Sequence, residues 1–124
     1  MNRRLGLMVI LAATPVQAGQ PISESLVDCG TLFDLSNRAF PERRETEKGA
    51  SLAHASDQFL TAAREQARAE GRASPERYVE DMIGTKEENW DGKGLSYVFS
   101  QDFRDWIQYC RSLSDHLGVD LTAP

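Results

Sequence analysis

The sequence predicts an all-α fold, a small four-helix bundle running up-down-up-down, with one disulfide joining the first and last helices. Four segments repeat apolar residues at steps of three and four, the period of a single helix face. Apart from a short stretch from Leu95 to Phe99 that suits extended backbone, no alternating run of useful length competes for strand. The two cysteines, Cys29 and Cys110, lie on the apolar stripes of the first and last of these segments.

The N-terminus stands outside this pattern. Met1 to Arg4 carries two positive charges, Leu5 to Ala13 is apolar with a single glycine, and Thr14 to Ala18 ends in a small residue. That is the build of a secretory signal peptide over residues 1–18, cleaved before Gly19. Its apolar run falls far short of the roughly 20 residues a bilayer span needs. No cysteine follows the cleavage point to be acylated, and Arg3-Arg4 lacks the aromatic residue that usually follows in a twin-arginine signal, so ordinary secretory export is expected. Residues 19–124 then form one helical domain, in which the loss of Arg3 and Arg4 leaves 12 basic against 19 acidic residues, a charge of −7.

In the first segment Ile22, Leu26, Cys29, Phe33 and Phe40 share a stripe that Leu32 and Leu35 widen, and Pro41 ends it, which predicts one helix of about five turns. Pro41 to Lys48 has no apolar residue to bury and reads as a solvated, mixed-charge loop running to Gly49. The second helix, Ala50 to Glu70, places Leu52, Phe59, Leu60, Ala63 and Ala67 on one side, and Gly71 closes it. Ser74, Pro75 and Glu76 open the third with a cap residue, a proline at the first helical position and an acid suited to the helix dipole. Its apolar face is Tyr78, Val79, Met82 and Ile83. Gly84 weakens this helix by up to about 1 kcal/mol relative to alanine, which leaves open a stop there or a continuation to Trp90.

Asp91 to Gly94 is a turn signal, and Ser96 or Ser100 can cap the last helix. Phe99, Phe103, Trp106, Cys110, Leu113 and Leu117 then follow at steps of four, three, four, three and four, with Gly118 at the end. Cys29 lies seven residues after Ile22 and Cys110 eight before Gly118. At 1.5 Å per residue both stand about 10 to 12 Å from the same end of antiparallel neighbours, so bundle and disulfide support each other. An oxidising compartment and a separation of 81 residues favour a structural bridge over a reactive or metal-binding pair.

At 40% hydrophobic and 27% charged, the chain has the composition of a folded domain, and its acidity argues against a nucleic-acid partner, whose phosphates want clustered Lys and Arg. Residues for chemistry are few. His54 lies off the second stripe, and His116 suits the C-terminal end of a helix dipole; no third ligand with metal-site spacing accompanies them, so no metal is expected. A haem attachment motif is missing, and after signal cleavage only Met82 remains as a thioether ligand. Asn89 to Ser100 imitates a calcium loop at its first, third and sixth places but carries Lys93 at the fifth and Ser100 at the twelfth. Neither a nucleotide loop nor a nucleophile elbow occurs, and Glu80-Asp81 and Glu87-Glu88 suit exposed helix faces. The expectation is a protein with no catalytic residues and no cofactor.

Two function classes remain. In the first, the chain is an exported, non-catalytic binding module that engages another exported protein by charge complementarity, with Trp90 and Tyr97 beside flexible glycines as candidate anchors. The same two side chains also suit capping one end of the core. In size, export and composition the chain resembles small exported helical proteins such as acid-stress chaperones and the immunity proteins that block cell-wall-degrading toxins; that general resemblance carries over no residue role. In the second class, the bundle holds a small apolar ligand or cofactor in a cavity that Phe33, Phe59, Phe103 and Trp106 fail to fill.

Overall fold

The computed structural model describes residues 20–122, so the signal-peptide reading of residues 1–18 lies outside the described part. Five helices follow in order: α1 (Ile22–Phe33), α2 (Leu35–Ala39), α3 (Glu47–Ala69), α4 (Pro75–Asp91) and α5 (Gln101–Leu117), with 3-10 turns at Pro41–Glu45 and Leu95–Phe99. No strand occurs among the described residues. The four long helices, α1, α3, α4 and α5, form the all-α bundle, and Cys29 of α1 is bridged to Cys110 of α5 with a Cα–Cα distance of 5.6 Å.

The predicted first helix is two. Asp34, with φ −93° and ψ 5°, breaks it between Phe33 and Leu35. Arg44 holds the corner, donating one N–H to the Asp34 carboxylate at 2.8 Å and another to the Asn37 carbonyl at 3.0 Å. The charged stretch after Pro41 is exposed, as its composition requires, but it winds into a 3-10 turn and α3 starts at Glu47, earlier than the expected Ala50. Thr46 caps α3 by accepting the Gly49 N–H, and Asn37 donates to the Gly49 carbonyl at 2.9 Å. Gly49 has to be glycine, since a Cβ there would meet the Arg43 carbonyl oxygen at 1.8 Å.

α1 occupies the centre. It packs on α3, α4 and α5, and every residue from Ser25 to Phe33 is buried. Against α3 the approach is close: a Cβ on Gly30 would collide with Leu60, and Ser56 donates its hydroxyl to the Gly30 carbonyl at 2.7 Å. The facing side of α3 is small at every fourth position, Ala55, Ala63 and Ala67, with Phe59 the one large residue in that row. Phe59 meets Phe33 edge to face at 5.2 Å.

α4 passes through Gly84 without interruption and ends at Asp91, because nothing crowds that position and the helix is anchored on both sides, by Val79 in the main core and Trp90 in a second cluster. Ser74 makes no side-chain capping bond, so Pro75 and Glu76 start α4 unaided. Ser100, not Ser96, caps α5 by accepting the Phe103 N–H, and the short Leu95–Phe99 stretch is a 3-10 turn rather than extended. Gly118, at φ 74°, ends α5 in the left-handed conformation that glycine adopts without steric penalty.

Candidate functional site

The bridged cysteines, Cys29 and Cys110, are fully buried, with no free thiol among the described residues. Trp90 is only 4% exposed. Its indole N–H donates to the Asp28 carbonyl at 3.1 Å and to the Thr31 hydroxyl at 3.0 Å, and its ring lies edge-on to Trp106 at 5.3 Å and stacked near Tyr97 at 6.0 Å. Tyr97 is half-buried; burial first, and then the hydrogen bond its hydroxyl donates to Asp102, push its pKa well above the usual tyrosine range. The Lys93 ammonium sits 5.2 Å from the centre of the Tyr97 ring. These two candidate anchors therefore close one end of the core, and the surface they close continues outward into other residues.

That continuation is the turn and helix that follow. Leu95 is 58% exposed and Phe99 80%, both on the 3-10 turn that leads into α5. The spacing of Phe99 places it on the α5 stripe, yet the turn shifts its phase and leaves the ring in solvent. Along α5 a shallow recess is lined by Asp102, Asp105, Trp106 and Tyr109. Steps of three, one and three place them on one side of the helix, and Tyr109, 44% exposed, meets Trp106 at 5.6 Å with the ring planes at 89°. Among the described residues neither Asp102 nor Asp105 takes part in an ion pair; Asp105 accepts a neutral hydrogen bond from Gln101 at 2.8 Å. A sequence signal for this face existed in the Asp-x-x-Asp-Trp-x-x-Tyr pattern of residues 102–109, but Tyr109 falls off the apolar stripe and invites no attention.

A second polar concentration lies between α1 and α4. Lys86 reaches the Glu24 carboxylate at 2.8 Å and that of Asp28 at 3.2 Å, and Gln20 donates to the other Asp28 oxygen at 2.8 Å. Burial pushes the Asp28 carboxyl above the usual carboxylate range, an effect that Lys86 and Gln20 offset only in part. Burial also opposes the charge on Lys86, but the hydrogen bond to Glu24 and the field of Asp28 outweigh it and hold the ammonium above its ordinary pKa. Further along, Arg38 forks onto Asp91 at 2.9 and 3.3 Å and donates to the Thr31 carbonyl at 2.8 Å. Every charge named in this seam has a partner inside the chain, and the pairs join α4 to α1 and α2.

His54 is half-buried on α3 and His116 exposed on α5; among the described residues no three His, Cys, Asp or Glu side chains come together as metal ligands. Asn89 and Asp91, which imitated the start of a calcium loop, belong to the last turn of α4. The aromatic side chains that would have to leave a ligand cavity contact one another instead, Phe33 with Phe59, Trp106 with Trp90 and Phe103 with Tyr97 at 5.8 Å. No described helix is long and apolar enough to cross a membrane. Comparisons with protein-family models, curated proteins and solved structures found no match.

Proposed function

We propose that the chain is exported through its N-terminal segment and acts as a non-catalytic binding module, engaging another exported protein through the Leu95–Phe99 turn and the outer face of α5. The exposure of Leu95 and Phe99 carries this reading. Two large apolar side chains held outward on an ordered turn are unfavourable in water and belong to neither buried cluster, whereas aromatic side chains such as Phe99 are enriched in protein interfaces. Asp102 and Asp105 beside them, and the −7 charge of residues 19–124, match a basic partner. Export is supported by the charged-apolar-small order of residues 1–18 and by the buried Cys29–Cys110 bridge, of a kind common in oxidising compartments and rare in reducing ones. A small stoichiometric blocker or holding protein, of the kind this chain resembles in size and build, needs no more than such a face.

The test is site-specific photo-cross-linking in the native host, with the cross-linker replacing Phe99 in one variant and Thr61, exposed on the outside of α3, in the other. A discrete adduct at position 99 with one basic polypeptide, and none at 61, is the expected result. Equal labelling at both positions, or an adduct with a small molecule only, overturns the reading.

A further inference from the structure

The geometry points to the corner between Trp106 and Tyr109 as a seat for one arginine side chain of the basic partner, an inference that rests on the binding face proposed above. The two rings stand at right angles with centres 5.6 Å apart, and Asp102 and Asp105 line the same recess. A cation over an aromatic face is attracted by the ring quadrupole, and carboxylates at the rim add directed hydrogen bonds. Five other rings of the molecule, though not Phe59, Phe99 or Phe103, carry a cation of the kind this corner lacks. Arg43 lies over Phe40 at 4.9 Å, Arg72 over Tyr78 at 4.3 Å, Arg111 over Phe33 at 5.9 Å, and Lys93 over both Tyr97 and Trp90. Among the described residues no cation of the chain lies over Trp106 or Tyr109, although two carboxylates without ion-pair partners sit beside them.

Arginine fits this corner better than lysine. The lining is mostly ring carbon, so an entering group has to shed water; a guanidinium is more weakly hydrated than an ammonium, lies flat on one ring, and still directs its planar N–H fork at the rim. The carboxylates stand one helical turn apart, Asp102 fastened by the Tyr97 hydroxyl and Asp105 by the Gln101 amide. Neutral side-chain donors hold both in place, and among the described residues no side-chain cation pairs with either.

The experiment is NMR titration of the oxidised protein with N-acetyl-arginine amide, N-acetyl-lysine amide and N-acetyl-citrulline amide, following the Trp106 indole N–H and the Tyr109 ring. Saturable shifts at both sites are expected with arginine, roughly threefold or more weaker binding with lysine, and no saturation with citrulline, which keeps the shape but loses the charge. The double variant D102N/D105N is expected to weaken arginine binding roughly fivefold or more while the spectrum stays dispersed. Equal response to citrulline, lysine binding as tight as arginine, or shifts spread over distant acids such as Asp81 and Glu88 without any at Trp106 each overturn the assignment. The citrulline comparison uses unaltered protein and so does not depend on the variant folding. Cross-links at position 99 without arginine-dependent shifts at Trp106 would leave the binding face standing and remove the arginine seat; the converse pattern would keep the seat and remove the face.

Discussion

Along the α1–α4 seam the Asp28 carboxylate is buried and each charge is matched within the chain, whereas along the outer face of α5 apolar groups are exposed and the carboxylates have no ion-pair partner among the described residues. Both depart from the simple rule of apolar inside and polar outside, but in opposite directions and with opposite meaning. A polar group taken out of water has to be satisfied where it lies, so the network of Gln20, Glu24, Asp28 and Lys86 is explained by the fold alone. An exposed Phe99 has no such internal account. The difference separates side chains that position helices from side chains left available to something else.

The largest effect should come from cutting the tie between the two regions, the Cys29–Cys110 bridge that fastens α5 to α1. A closed loop of this length stabilises by roughly 4 kcal/mol in the chain-entropy model. Reduction, or C29S/C110S, is expected to lower the melting temperature by roughly 15 °C or more, read by circular dichroism with and without reductant. An unchanged melting curve would show that packing of α5 on α1 suffices without the bridge.

Within the seam, Lys86→Ala leaves the Asp28 carboxylate buried with only Gln20 for company. Breaking a fully buried pair costs about 3–5 kcal/mol; Lys86 keeps a little exposure, so about 2–3 kcal/mol is expected in a urea titration. A loss under about 0.5 kcal/mol would reclassify the seam as an ordinary surface pairing.

Asp28→Asn probes the same seam through pH. The folded pKa of Asp28 lies above its value of 3.8 in an unstructured chain, so as pH falls from 7 towards 4 the folded state binds the proton first and this residue favours folding progressively more. The asparagine variant lacks that contribution while keeping an oxygen for Gln20 to reach. Stability of the wild type relative to the variant should therefore rise as pH falls across this window, measured as the difference in denaturant midpoint at each pH. A flat difference, or one falling with acid, would show that Lys86 rather than burial governs Asp28.

The two regions were unequally legible in the sequence. The four long helices, the Gly118 stop and the pairing of Cys29 with Cys110 follow from spacing, because a 3.6-residue period and a 1.5 Å rise leave little freedom, whereas the break at Asp34 and the phase of Phe99 do not. The burial of Ser23, Ser25, Asp28 and Thr31 does not follow from a stripe, which implies one buried side, whereas α1 is covered by three helices. A clue was present: Ile22 to Phe33 contains no lysine or arginine and only two acids, too few to clothe a solvated side. Beside its glycines Trp90 reads as an anchor, yet its indole N–H finds two buried acceptors on α1. The Trp106–Tyr109 corner depends on side-chain rotamers and on the phase change at the Leu95–Phe99 turn, neither of which residue spacing encodes.

The smallest stability change should accompany the sharpest loss of binding. Leu95→Ser and Phe99→Ser remove side chains that are mostly in water already, so together they should shift folding stability by no more than about 0.5 kcal/mol per site, with an unaltered circular dichroism spectrum and an intact disulfide. If the turn is an interface, the same pair should abolish the cross-linked adduct formed from a probe at the exposed Gln108, because anchor residues contribute far more to association than to the monomer. If instead the melting temperature falls by roughly 10 °C or more, the two side chains support the Tyr97 and Phe103 cluster beneath them, and their exposure reflects an imperfect lid rather than a partner's seat. Lys86→Ala reverses the pattern, a substantial stability loss with the adduct retained below the unfolding transition. That double dissociation turns the contrast between buried, paired charges and exposed, unpaired rings into a measured property of this chain.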